Sequence, residues 1–242
     1  EGTKLFSARF KQIYKIKKMS KYFSNIYNLY WKHKNFLPQK QYSCFGEDLF
    51  VADYFKNQDN GFYVDVGSYH PFFWNNTYLL YKKKWNGINI DANPLSTELF
   101  KFARRDDYNF NLAVTNKRNN KITLYYRRKM NVLNTTDESF AKKNFPNGYK
   151  TIDVECSSLN IVLSKTKYKD KSIDFLNIDV ENTEKDVLES LSFETYSPKL
   201  ICVEIHYESE ENLKNNMTYK FLLEKGYKVV WQKEYSFIFS PA

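Results

Sequence analysis

Four apolar runs in this chain close on acidic residues, and that pattern restricts the folds open to it. Phe62–Val66 contains Asp65 and runs into Gly67 and Ser68, and Trp85–Ile90 is followed by Asp91. Ile173–Ile178 is followed by Asp179 and Glu181, while Leu200–Ile205 contains Glu204 and is followed by His206. Each run is short and rich in β-branched and aromatic residues, as strands are. Segments of helical character separate them. Strands alternating with helices build a doubly wound α/β sheet, and the carboxyl ends of its strands gather at one edge. Acids arriving there from four separate runs point to a ligand site rather than to packing.

The intervening chain fits that scheme. Gln41–Asp48 leads into a helix through Leu49, Val51 and Tyr54, with Ser43 as a cap and Gly46 as a turn. The first crossover helix is expected over Thr77–Lys84, capped by Asn75 or Asn76. The next runs over Leu95–Arg104, with Pro94 opening its first turn. Tyr108–Val114 reads as a third strand. Ile122–Tyr126 and Thr151–Cys156 read as an inserted hairpin, and the polar stretch Asn131–Gly148 as a long loop. Short helices are expected at Ser158–Ser164 and Thr183–Leu191. Met217–Lys225 is a helix closed by Gly226, which suits a left-handed position. Tyr227–Gln232 and Tyr235–Phe239 form a terminal hairpin that makes the last strand antiparallel.

Charge divides the chain in two. Residues 1–40 hold ten Lys or Arg and one acid, Glu1, while the basic and acidic residues of 41–242 balance. Phe6, Phe10, Ile13, Ile16, Met19, Phe23, Ile26 and Tyr30 recur at helical spacing between these lysines, with a break near Ser20 and a stop at Pro38. Two domains are expected: a basic amphipathic segment over 1–40 and a ligand-binding domain over 41–242. The segment 4–34 packs, on the domain or on a second copy in a homo-oligomer, or lies on an anionic membrane, with nucleic-acid binding the remaining reading. Cys44, Cys156 and Cys202 are far apart, which argues against a disulfide framework or a zinc site and fits a reducing compartment. No apolar run spans a bilayer, and no signal peptide is evident. A cytoplasmic protein, peripheral at the inner membrane face if the basic segment docks there, is the expectation.

The strand ends suggest chemistry. Gly67 lets the backbone turn tightly beside a ligand. Asp91, at the end of the second strand, stands where an acid accepts both hydroxyls of an adenosine ribose. That placement would also suit a nicotinamide-dependent oxidoreductase, but Gly67-Ser68-Tyr69-His70-Pro71 lacks the glycines that a pyrophosphate requires. A nucleic-acid methyltransferase is disfavoured, because no Asn/Asp-Pro-Pro-aromatic run follows the fourth strand. Asp179, Glu181, Glu204 and His206 could also ligate a divalent metal, which is not the favoured reading.

Ser43–Asp48, then VDVGSYHP, Asn76-Thr77, WNGINIDANP, NLAV and NIDVEN, together resemble the FkbM family of S-adenosylmethionine-dependent methyltransferases, over about residues 41–207. Two positions depart from that family's usual pattern: Cys44 stands for Gln, and Asn182 for Gly. The resemblance implies a class I (Rossmann-like) methyltransferase fold, a mostly parallel seven-stranded sheet with an antiparallel terminal hairpin, and O-methylation of a sugar, glycan or lipid-linked saccharide. It places Asp65, Gly67 and Ser68 at the methionine part of S-adenosylmethionine, and Asp91, Ala92 and Asn93 at the ribose. It places Asn111 to Ala113 near the adenine, and Asp179 and Glu181 where the methyl is presented. Methyl transfer to a hydroxyl needs a proton acceptor. The candidates are His206, Asp179, Glu181 and Glu204, with His206 expected to take the proton and Asp179 or Glu204 to assist. A non-catalytic methyltransferase-like binding module is the remaining alternative.

Overall fold

The computed structural model describes residues 17, 19–35, 37 and 39–242. The chain divides into two compact units, 1–40 and 41–242. In the first unit, residues 19–26 are helical without a break at Ser20, and the helix continues in a π-helical turn, Tyr27–Trp31. The expectation at Pro38 lies outside the described residues, as do those at Phe6, Phe10, Ile13 and Ile16. Among the described residues no helix is long and apolar enough to cross a membrane.

The second unit runs α1 (Glu47–Tyr54), β1 (Phe62–Val66), α2 (Tyr78–Lys82), β2 (Asn86–Asp91), α3 (Pro94–Ala103), β3 (Tyr108–Asn111), β4 (Ala113–Val114) and β5 (Lys121–Tyr126). It continues with α4 (Glu138–Asn144), β6 (Lys150–Ser157), α5 (Leu159–Ser164), β7 (Phe175–Ile178), α6 (Glu184–Glu189) and α7 (Phe193–Tyr196). The last elements are β8 (Leu200–Glu204), α8 (Glu210–Asn215), α9 (Met217–Glu224), β9 (Tyr227–Lys233) and β10 (Ser236–Pro241). Seven strands form one sheet in the order β3-β2-β1-β7-β8-β10-β9. β10 is antiparallel to both neighbours, and the other pairings are parallel. This is a doubly wound, Rossmann-like α/β architecture. Winding outward from β1 to β3 and then returning to β7 leaves a switch point between β1 and β7, where open sheets bind ligands.

Local sequence accounts for the departures from expectation. The run 108–114 is not one strand. β3 ends at Asn111, whose side-chain amide donates to the carbonyls of Asp91 and Ala92, and Ala113-Val114 then pairs with β6. β4, β6 and β5 make a separate three-stranded sheet, and within it Ile122 faces Val154 in the expected antiparallel hairpin. The stretch 131–148 is not all loop. The Asp137 carboxylate accepts the amides of Ser139 and Phe140 and starts α4. Ser209 caps α8 in the same way. α2 begins after Thr77, and Asn75 accepts the Thr77 amide just ahead of it.

Candidate active site

The turn after β1 is built around Gly67. Its φ is +78°, and a Cβ there would lie 1.7 Å from the carbonyl oxygen of Asp179 at the end of β7. Only glycine allows this approach. The turn presses against β2, with the amides of Gly67 and Ser68 donating to the Ile90 carbonyl at 2.9 and 3.2 Å. Ser68 is buried, and its hydroxyl makes no hydrogen bond.

Asp91 locks the second strand end to that turn. Its Oδ2 accepts the Tyr69 amide and the Ser96 hydroxyl, each at 2.8 Å, and its Oδ1 accepts the Asn93 amide at 2.7 Å. Burial pushes the carboxyl above its ordinary range, and these three donors pull it back. Asn93 also caps α3 by accepting the Leu95 amide. A cleft opens here, lined by Gly67, Tyr69, Asp91, Ala92 and Asn93 and walled by the apolar Ile90, Leu112, Ala113 and Val114. Asn111 is not among its walls, and its amide donates to the carbonyls of Asp91 and Ala92.

Asp65 lines a neighbouring cleft, but its carboxylate is engaged in the core. It accepts from Asn177 at 2.8 Å, Thr77 at 2.9 Å and Asn75 at 3.2 Å. The polar atom left over in this turn is therefore the Ser68 hydroxyl and not the Asp65 carboxylate. The second cleft joins the first through shared walls at Gly67, Tyr69, Val132 and Asp179. Phe45, Trp74 and Tyr235 bring aromatic rings to it, and Glu181, Glu204 and His206 bring charge. Among the described residues its lining includes no Lys or Arg.

His206 Nε2 lies 3.2 Å from Glu204 Oε2 and 3.9 Å from Glu181 Oε2. The carboxylates of Glu181 and Glu204 beside it push its pKa up to about 10. A pKa raised this far favours the protonated imidazole at neutral pH. Burial raises Glu181, and Asp179 stands well above the ordinary carboxylate range because it is buried among Glu204, Glu181 and Glu184. The accepting capacity of the cluster thus rests on its carboxylates. Glu181, Glu204 and His206 offer ligand atoms within 4.8 Å of one another and could hold a divalent cation. A cation there would compete with the imidazole's own proton.

Glu181 and Asn182 both have positive φ, +57° and +85°. Asparagine tolerates that region, so the turn survives without glycine. The Asn182 side chain then gains a use, donating to Asp137 at 2.7 Å. On the far side, the Ser43 hydroxyl accepts the amides of Gly46 and Asp48, and Glu47 accepts from Ser236 on β10. This ties α1 to the sheet and carries Cys44 and Phe45 to the cleft. The sequence reading passed over Glu47, Trp74 and Tyr235. Tyr235 opens the second strand of the expected terminal hairpin, and its place beside that turn was the available signal.

A profile of the methyltransferase FkbM domain matches residues 65–229. The chain belongs to the FkbM methyltransferase family. The matched span of this FkbM methyltransferase contains the Gly67 turn, Asp91, Asp179 and the Glu181–Glu204–His206 cluster. No curated protein matches the chain significantly. Among solved structures, the chain is similar to a Pyrococcus horikoshii protein assigned provisionally as an RNA methyltransferase. The identity is 11%, over 85% of this chain and 91% of that one, with a TM-score of 0.42.

Proposed function

We propose that this FkbM methyltransferase transfers the methyl group of S-adenosylmethionine to a hydroxyl of a sugar, glycan or lipid-linked saccharide. The observation that carries the reading is the pair of joined clefts meeting at Gly67 and Asp179. The first fits the cofactor. Its apolar walls suit an adenine, Asp91 Oδ1 keeps accepting capacity for a ribose hydroxyl, and the Ser68 hydroxyl is a buried polar atom awaiting a partner. S-adenosylmethionine, the usual donor for a methyltransferase, supplies a methyl carbon on a sulfonium that an acceptor oxygen can displace. The second cleft fits an uncharged, hydroxyl-rich acceptor. Trp74 and Tyr235 offer ring faces, and the carboxylates accept hydroxyl protons in hydrogen bonds.

The acceptor hydroxyl gives up its proton as the new carbon–oxygen bond forms. The proton goes to a carboxylate of the cluster, and burial, which raises the pKa of Glu181 beside Glu204, makes Glu181 the better acceptor. His206 holds the two acids together while they wait.

Titration calorimetry with S-adenosylmethionine and with NAD tests the donor. Binding of the first and not the second is expected. Asp91→Ala should cost about 1–3 kcal/mol of donor affinity. Because Asp91 also ties the turn, Asp91→Asn is the companion variant, retaining one acceptor oxygen and part of the affinity. Unchanged affinity in both variants would remove Asp91 from the site. Incubation with labelled donor and a panel of glycans then tests the acceptor, and transfer to nucleic acid instead would overturn that part of the reading.

A further inference from the structure

Among its described residues, the first unit carries several large apolar side chains on the outside. Every fourth residue of its helix, Met19, Phe23, Tyr27 and Trp31, is exposed, at 51%, 62%, 58% and 64%. Tyr22, 52% exposed, lies beside this stripe. The side turned away from solvent holds Asn25 and Leu29, at 6% and 0%. At this spacing the four residues share one helix face, so the stripe is continuous. This inverts the ordinary arrangement of a surface helix, in which aromatics face inward. Contiguous exposed apolar surface of this kind marks an interaction site.

Charge narrows the partner. Lys17, Lys21, Lys32 and Lys34 lie within three residues of stripe members along the chain and are exposed. The forty residues of the unit contain ten Lys or Arg against one acid. Two such surfaces would repel one another, which disfavours a second copy as the occupant. An acidic surface would attract them. Trp and Tyr with Lys at their margins is the composition that settles at the boundary between lipid headgroups and acyl chains. No described helix can span a bilayer, so the contact is peripheral.

We propose that the exposed Met19–Phe23–Tyr27–Trp31 stripe docks on an anionic lipid surface, with the rings entering the interface and the lysines holding the headgroups. The inference is independent of the methyl-transfer reading, because its test needs neither donor nor acceptor.

The experiment is co-sedimentation of the full chain with phosphatidylcholine vesicles, with and without phosphatidylglycerol. Binding should require phosphatidylglycerol and fall as salt rises. Replacing Phe23, Tyr27 and Trp31 together by Ser should abolish it. Each of Lys17, Lys21, Lys32 and Lys34 replaced by Gln should weaken it about fivefold. Thermal melts of each variant show that the second unit stays folded. Equal binding to neutral vesicles, or undiminished binding by the triple Ser variant, overturns the proposal. So does a dimer in sedimentation velocity that the triple Ser variant turns into monomer, since the stripe would then join copies.

Discussion

His206 stands between two glutamates that compete for its proton, and this has a measurable consequence. Glu181 and Glu204 face it directly, Asp179 lies beside them, and the rings of Tyr235 and Phe140 pack against it. Its folded pKa of about 10 lies above its unfolded value of about 6.5. A raised pKa adds stability that is fully present below the unfolded value and is lost as pH rises through the folded one. His206→Gln should therefore melt below the wild type, with the widest gap below about pH 6.5. The gap should close as pH approaches about 10. Thermal unfolding of both proteins across that window checks it. A gap that does not change with pH would mean the imidazole is not paired. Turnover should fall less in this variant than in Glu181→Gln, where loss of the proton acceptor costs about 10²–10⁴-fold, with donor affinity unchanged in both. Loss of donor binding instead would make His206 a structural residue.

At the scale of elements, helix starts do more than begin helices. α6 opens with Glu184, which is buried and accepts the Asn182 amide at 3.0 Å. Burial, ahead of its acidic neighbours, lifts its pKa to about 7. This folded value exceeds the ordinary one, so its stabilising share is present below about pH 4.5 and is lost as pH rises through about 7. Glu184→Gln keeps the acceptor oxygen and removes the buried charge. It should match the wild type near pH 4.5 and exceed its stability at pH 8, by up to roughly 3 kcal/mol. Urea unfolding at both pH values measures this, and a less stable variant at pH 8 would show that the helix dipole outweighs burial. Helices with strong apolar periodicity, such as α3 and α9, were legible in the sequence. α4 and α8 were not, because they bury little more than Ala141 and Leu213, and their signal lay in the caps Asp137 and Ser209. The exit of the chain at Leu112 was hidden because 108–114 reads as one apolar run.

Across the whole molecule, the two faces of the sheet do different work. One face is apolar along its length: Phe62, Val64 and Val66 join Ile88, Ile90, Leu176, Ile178, Ile201 and Val203 in one core. The other begins with Tyr63, Phe175 and Leu200 but turns polar toward the carboxyl edge, at Asp65, Asn89 and Asn177. Strand alternation made the first face readable. The second was not, since the partners of Asp65 come from separate segments that only the fold assembles. Arg104, fully buried at the end of α3, joins them. Its guanidinium donates to Thr77 at 2.8 Å, to Asn75 at 2.7 Å and to the Pro71 carbonyl, and its charge offsets part of the rise that burial gives the Asp65 carboxyl. Behind it, Tyr63 donates to Asp107, which also accepts from Gly87 and Asn89. The floor of the second cleft therefore rests on a buried cation. Arg104→Met should cost about 3–5 kcal/mol, because it leaves buried acids uncompensated and strips donors from three acceptors. Arg104→Lys restores the charge without the planar fork and should recover only part of the loss. Urea titration of the three proteins decides between this role and simple packing. A loss below about 1 kcal/mol in Arg104→Met would mean that apolar volume at this position suffices, with the guanidinium adding little beyond it.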